Sequence, residues 1–349
     1  MRVAAGPVVD VHNHVAPPAF VDFVRAHGDR LQTAIVREAT GGESFVVNGK
    51  ERRPLDDRAT SCARRLEDMA RDGVAIELIS CYPFMAYYDV EPSLSRDVAR
   101  LVNDGIAELV SQHPAAFRGI GTVPLGDVDA SLAELERCTS DLAFVGVQVL
   151  TRVSGATLDD PRLRPFWAAA AQLRMPVLLH PFDSAMLGGE RRHHLGNLLG
   201  NPFETTLSAA LLIFSGLLDE HPDLQPVLLH GGGALPYVAD RIDRGWEGSR
   251  RDELPPVGSG LSAPPTAYLR RFHYDCVTFS ASALRYLSSV VGGDRVLLGT
   301  DYPTPMEMRN APTFVAESGL ECEVVEQVLA LNAARLFRLG SARQHLVDQ

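Results

Sequence analysis

Near its start the chain reads Asp10-Val11-His12-Asn13-His14. In extended backbone alternate side chains share a face, so His12 and His14 point the same way. Two more histidines close apolar runs, Leu178-Leu179-His180 and Leu228-Leu229-His230, and a carboxylate closes a third, Leu298-Gly299-Thr300-Asp301. Imidazoles and a carboxylate converging from separate strand ends are a donor set that suits Zn²⁺ with one position left for water. His180 or His230 alone reads equally well as a hydrogen-bonded structural residue. A His-x-His pair joined by two strand-end histidines and a strand-end aspartate does not, so metal chemistry is expected. An ion of this kind brings the pKa of bound water towards neutrality. Asp10 either orients a ligand or caps a turn, and is kept out of the ligand set.

These residues need a scaffold that brings strand ends together. Short apolar runs at 7–12, 74–80, 117–123, 143–149, 175–180, 226–230, 272–277 and 295–300 predict eight strands. Several are almost continuously apolar, as parallel strands buried on both faces are. Amphipathic stretches fill the gaps, after Asp56 and over about 94–113, 128–139, 161–173, 203–220, 234–249, 279–291 and 322–338. Asn201-Pro202-Phe203-Glu204 predicts a helix start, with a cap, Pro at the first helical position and Glu three after the cap. His221-Pro222 predicts that helix's end. Eight strand–helix units read as a (β/α)8 barrel, whose active sites lie at the C-terminal strand ends. One barrel domain is expected over 1–349, with insertions at about 28–56 and 250–268. A doubly wound sheet is disfavoured, because neither G-x-G-x-x-G nor G-x-x-x-x-G-K-[ST] occurs. His230-Gly231-Gly232-Gly233 looks like a lipase oxyanion loop, but without a G-x-S-x-G elbow it reads as backbone passing close to the site.

Composition narrows the function. The 349 residues are 46% hydrophobic and carry a net charge of −11, which excludes the basic footprint of nucleic-acid binding. No apolar run is long enough to span a bilayer. Pro7 and Asp10 break the stretch that a signal peptide needs, so a cytoplasmic protein is expected. Five scattered cysteines form neither a disulfide framework nor a C-x-x-C metal cage. His113, His221 and His345, near helix ends or the terminus, are expected on the surface. Of the 33 basic residues only Lys50 is a lysine.

The stretches VVDVHNH, LLHP, LLHGGG and LLGTDYP resemble the amidohydrolase superfamily. HGGGALPYVADRIDRGW and GDRVLLGTDYPTP resemble, more narrowly, its aminocarboxymuconate-semialdehyde decarboxylase branch, and the likeness runs from VVDVHNH to NAARLF. The resemblance implies one zinc per subunit, or manganese, held by His12, His14, His180 and Asp301. It makes His230 the acid/base beside the metal-bound water. Arg53, before Pro54, becomes the arginine that grips a substrate carboxylate; a second, Arg241, matches one that in relatives reaches a neighbouring subunit's site. A homodimer is implied. Many relatives bridge two metals with a carboxylated lysine on strand four, but here that strand reads Val145-Gly146-Val147-Gln148-Val149. The site is therefore expected to be mononuclear.

The implied reaction is decarboxylation of a small unsaturated or aromatic acid, in which either hydroxide adds to the substrate first or His230 or Asp301 delivers the proton. A hydrolase or hydratase using the same metal-bound hydroxide is the alternative, and a non-catalytic metal-binding barrel a third. Two departures point to a substrate different from the branch's namesake. Thr304 stands where the branch has an aromatic, and the segment around His193 and His194 lacks its tryptophans.

Overall fold

The computed structural model describes residues 6–39, 41–49, 51–182, 192–258 and 260–340, so Lys50 and His345 lie outside the described residues. In chain order the strands are β1 (Val9–Val15), β2 (Thr33–Arg37), β3 (Glu43–Val47), β4 (Glu51–Leu55), β5 (Ile76–Cys81), β6 (Phe117–Thr122), β7 (Gly146–Leu150), β8 (Arg152–Val153), β9 (Ala156–Thr157), β10 (Pro176–His180), β11 (Gln225–Leu228), β12 (His273–Asp275) and β13 (Val296–Leu297). Eight of them form one parallel sheet in the order β1-β5-β6-β7-β10-β11-β12-β13. Its two edges meet through Val11 N–H to Leu298 O (2.9 Å), Asp301 N–H to His12 O (2.7 Å) and His14 N–H to Tyr302 O (2.7 Å). The fold is a (β/α)8 barrel, and the eight apolar runs are its strands.

Burial on both faces explains why those runs are apolar. On β10, Leu178 joins the barrel-interior cluster with Val9, Val11 and Leu229. Its neighbours Val177 and Leu179 pack outward into the larger core. His180, two residues beyond Leu178, faces the interior, and so do His12 and His14, whose rings lie against it. Simple alternation from Val9 and Val11 would turn both β1 histidines the other way. A register irregularity between Asp10 and Asn13 resets the parity.

Three elements differ from expectation. Residues 28–56 interrupt the alternation, as read, but they hold a small antiparallel sheet, β2-β3-β4. Its central Phe45 is fully buried against Phe20 and Phe84. Asn201 is not a cap: its φ/ψ of −60°/−50° is helical, and a wide π-type turn over Gly196–Gly200 runs into the helix Asn201–Phe214. That wide turn accommodates Pro202, which has no N–H to give the preceding turn. The helix expected over 203–220 breaks at Gly216 (φ 74°), resumes at Leu217–Glu220 and stops at His221-Pro222 as read.

Cys62, Cys81, Cys138 and Cys276 are buried and unpaired, and Cys322 is exposed. Among the described residues no helix is long and apolar enough to cross a membrane.

Candidate metal centre

At the C-terminal mouth of the barrel, β1 supplies His12 and His14, β10 ends in His180, and the segment after β13 supplies Asp301. One donor atom from each lies within 4.8 Å of every other, and all four residues are buried. His12 Nε2 is 3.4 Å from His180 Nε2 and 3.5 Å from Asp301 Oδ1. His14 Nε2 is 3.1 Å from the same carboxylate oxygen.

The opposite ring nitrogens explain why these atoms converge. His12 Nδ1 faces Asp275 Oδ2 at 2.6 Å, His14 Nδ1 faces the Cys81 carbonyl at 3.1 Å, and His180 Nδ1 faces the Pro181 carbonyl at 2.7 Å. Carbonyls and carboxylates only accept, so each Nδ1 carries a hydrogen and each ring, when neutral, turns a bare Nε2 lone pair inward; burial opposes a charge on His12, but Asp275 and Asp301 raise its pKa. Two such lone pairs 3.4 Å apart repel unless a cation lies between them. Burial drives the pKa values of His14 and His180 down, which keeps both rings in the neutral form that binds metals. Burial opposes ionisation of Asp301, yet the His12 and His14 imidazoles hold its carboxyl well below the usual carboxylate range. The donors fit a metal ion, and these four residues form a metal-binding site.

His230 stands beside this set. Its ring centroid is 5.2 Å from that of His12 and 5.3 Å from that of His180, and its buried Nδ1 has no hydrogen-bond partner. Strand β11 stops at Leu228, two residues short of the expected end, because His230 turns into the left-handed region at φ 56°. Gly231, Gly232 and Gly233 follow at φ 62°, 75° and 63°. A Cβ on Gly233 would lie 2.0 Å from the Pro202 carbonyl oxygen, so only glycine lets this turn pack there.

Of the two substrate-binding candidates, Arg53 on β4 lines the cleft over the metal site, together with His14, His180, His230, Asp301 and Thr304. Tyr82, Phe84 and Phe182 form an aromatic wall, and His194, Asn197 and Asn201 a polar one. Arg241 is exposed on the helix Leu235–Arg250 and does not line the cleft of its own chain. His193 is exposed, while His113 and His221 are half-buried helix ends rather than free surface groups. Gln148, on β7, donates to the Cys81 carbonyl at 3.0 Å and accepts from the Ser80 hydroxyl at 3.1 Å.

Three buried polar residues around the site carry more than the sequence reading assigned. Asp275 accepts the hydrogen of His12 and the backbone N–H groups of His230 (3.0 Å) and Gly231 (2.7 Å). Asp10 stays outside the ligand set, as expected; it accepts from His12 N–H (3.1 Å) and from the Thr300 hydroxyl (2.6 Å). Burial, with Glu77 nearby, pushes its carboxyl up to about 7. Arg65 pairs with Glu77 at 2.8 Å, donates to the His14 carbonyl at 2.7 Å and lies 4.8 Å above the Tyr302 ring. A carboxylate inside the predicted strand 272–277 was the available signal for Asp275. Nothing in its amphipathic helix distinguishes Arg65 from the neighbouring arginines.

Known proteins are similar to this chain in sequence and fold. The sequence profile described as Amidohydrolase matches residues 9–339. The chain is 31% identical over 300 residues to the 2-amino-3-carboxymuconate-6-semialdehyde decarboxylase of Dictyostelium discoideum, covering 85% of this chain and 82% of that one. It is 34% identical over 261 residues to the gamma-resorcylate decarboxylase of Rhodococcus jostii, covering 70% and 77%. The crystal structure of 5-carboxyvanillate decarboxylase from Sphingomonas paucimobilis superposes with a TM-score of 0.81 at 26% identity, covering 95% and 99%. With its ligand set complete and the match nearly end to end, the chain belongs to the amidohydrolase family, in the branch of the aminocarboxymuconate-semialdehyde decarboxylase-like enzymes.

Proposed function

We propose that this protein is a metal-dependent decarboxylase of a small aromatic or unsaturated carboxylic acid. The observation that carries the reading is Arg53 lining the same cleft as the metal-directed imidazoles of His14 and His180, Asp301 and the ring of His230. A planar guanidinium binds a carboxylate bidentately and stays charged at any working pH. Tyr82, Phe84 and Phe182 offer the apolar surface that a conjugated acid needs, and names of the relatives specify substrates of that kind.

When bound, the ion supplies a Lewis acid that draws electron density from a substrate oxygen. His230 manages the proton: its ring lines the cleft and lies against the rings of His12 and His180, and it delivers a proton to the carbon bearing the carboxylate. The C–C bond then breaks, CO2 departs, and the electron pair of that bond restores the conjugated system. Asp301 belongs to the ligand set, its Oδ1 3.1 Å from His14 Nε2, which leaves His230 as the proton carrier.

One zinc per chain is the expected content, since three imidazoles and a carboxylate suit zinc and no strand-four lysine exists to bridge a second ion. Manganese is the competing ion. A homodimer fits the exposed apolar rim of the cleft mouth, where Tyr237, Phe279 and Tyr286 are 82%, 53% and 46% exposed. Arg241 lies one turn beyond Tyr237 and would reach a site only across such an interface. Unpaired cysteines agree with a reducing, cytoplasmic setting.

Incubation of the metal-loaded protein with gamma-resorcylate, 5-carboxyvanillate and related acids tests the reaction. CO2 release with loss of the carboxyl group is expected. A hydrolysed or hydrated product that keeps its carboxylate would replace this reading with the hydrolase alternative. Elemental analysis giving two metals per chain would overturn the mononuclear site.

A further inference from the structure

We propose that Asp275 is the positioning residue shared by the two halves of this site, fixing His12 as a metal ligand and His230 as the proton carrier. The second half rests on the role given to His230 above. Asp275 ends β12, is completely buried, and receives four N–H groups on its two oxygens. Oδ2 takes His12 Nδ1 at 2.6 Å and the His230 amide at 3.0 Å. Oδ1 takes the Gly231 amide at 2.7 Å and the Val277 amide at 3.1 Å.

Each contact has a consequence. A neutral imidazole has one N–H, so an acceptor at Nδ1 decides that His12 Nε2 is the bare nitrogen facing the metal site. His230 adopts φ 56°, a conformation that residues with a Cβ hold only under local support. Consecutive amides of His230 and Gly231 wrap the carboxylate as an anion nest and supply that support. Gly299 lets the parts meet: a Cβ there would lie 2.9 Å from the Cβ atoms of both His12 and Asp275. One anion thus sets a ring tautomer on β1 and a backbone conformation after β11.

Asp275→Asn keeps the size but replaces one acceptor oxygen with a donor. If that NH2 occupies the Oδ2 position, it opposes His12 Nδ1–H and the His230 amide. At the Oδ1 position it opposes the Gly231 and Val277 amides, so the turn carrying His230 loses its anchor in either case.

The test has two arms. Zinc affinity, measured by competition with a chromophoric chelator and without substrate, should fall about 10- to 100-fold in folded Asp275→Asn. At saturating zinc, with an acid that the wild type decarboxylates, kcat should fall about 10²-fold while KM stays close to wild type, because the carrier is misplaced and the carboxylate grip is intact. Wild-type zinc affinity in folded Asp275→Asn and also in folded Asp275→Ala, which leaves His12 Nδ1 without this acceptor in any orientation, would overturn the proposal. Weakened zinc binding with a full kcat at saturation would overturn the shared role. If the variant does not fold, ¹⁵N-histidine spectra of the wild-type protein decide instead: His12 protonated on Nδ1 supports the assignment, and protonation on Nε2 overturns it. If no acid yields CO2, the decarboxylase reading fails while the zinc arm and the tautomer still answer for Asp275.

Discussion

His230 and Arg53 border one cleft but differ in what their removal should do. His230→Asn leaves all four ligand residues in place and preserves the backbone amide that Asp275 holds. Metal content should be unchanged and kcat should fall roughly 10²–10⁴-fold, the usual contribution of general acid–base catalysis. Zinc loss from the folded variant, measured by elemental analysis, would instead make His230 a ligand. Arg53→Ala should chiefly raise KM, because a grip felt equally by substrate and transition state leaves kcat alone. A fall in kcat as well would show that Arg53 stabilises charge during bond breaking. A third residue, His273, acts on stability. It is 3% exposed, its Nδ1 has no partner, and burial, with Arg295 and Arg335 close by, brings its pKa down to about 3. The unfolded chain protonates this ring near pH 6.5 and the folded chain does not, so its contribution is complete above that pH. Between pH 6.5 and about 3 the contribution should decline by up to about 1.4 kcal/mol per pH unit. Denaturant titrations at pH 7 and pH 5 should show a smaller difference for His273→Phe than for the wild type.

At the scale of elements, the small sheet β2-β3-β4 carries Arg53 to the cleft, and Phe45 is its direct cross-strand partner. Phe45→Ala empties the contact with Phe20 and Phe84, which for a buried phenylalanine costs about 3–5 kcal/mol. The variant should keep its metal and show the raised KM of Arg53→Ala, checked by parallel kinetics and metal analysis. Barrel strands such as PVLLH were legible because burial on two faces leaves an apolar record in every residue. His12, His14, His180 and Asp301 were legible because polar side chains stand out at the ends of such runs. The β2-β3-β4 sheet was not, since its strands are short, partly exposed and rich in charge. Asn201 misled because Asn-Pro-Phe-Glu satisfies a capping pattern locally, while the π-type turn before it depends on packing across the barrel mouth. Asp275 escaped because its significance lies in two partners 263 and 45 residues away in sequence.

At the scale of the whole molecule, the metal site straddles the seam where the first barrel strand meets the last. His12 and His14 belong to β1, whereas Asp301 follows β13, and the pair His14–Asp301 spans 287 residues of chain. An ion held by all four residues therefore joins both ends of the sheet, and its binding energy becomes folding energy. At about a thousand times its dissociation constant, a ligand specific for the native state adds roughly 4 kcal/mol. Calorimetry should show a Tm several degrees higher with zinc than after chelation, and Asp301→Ala should abolish most of that gap.

The sulfur atoms turn the same architecture into a clock. Burial pushes the Cys81 thiol up to about 12 and the Cys138 and Cys276 thiols higher still, so none of these three presents a thiolate at neutral pH. Cys322 alone lies open to a maleimide, whereas the unfolded chain offers all five sulfurs. Mass spectrometry of a timed alkylation would then read the barrel's opening as a jump from one adduct to five. Cys276 adjoins Asp275 and Cys81 follows Ser80 on β5, so the order in which these two sulfurs are tagged would reveal which side of the mouth loosens first.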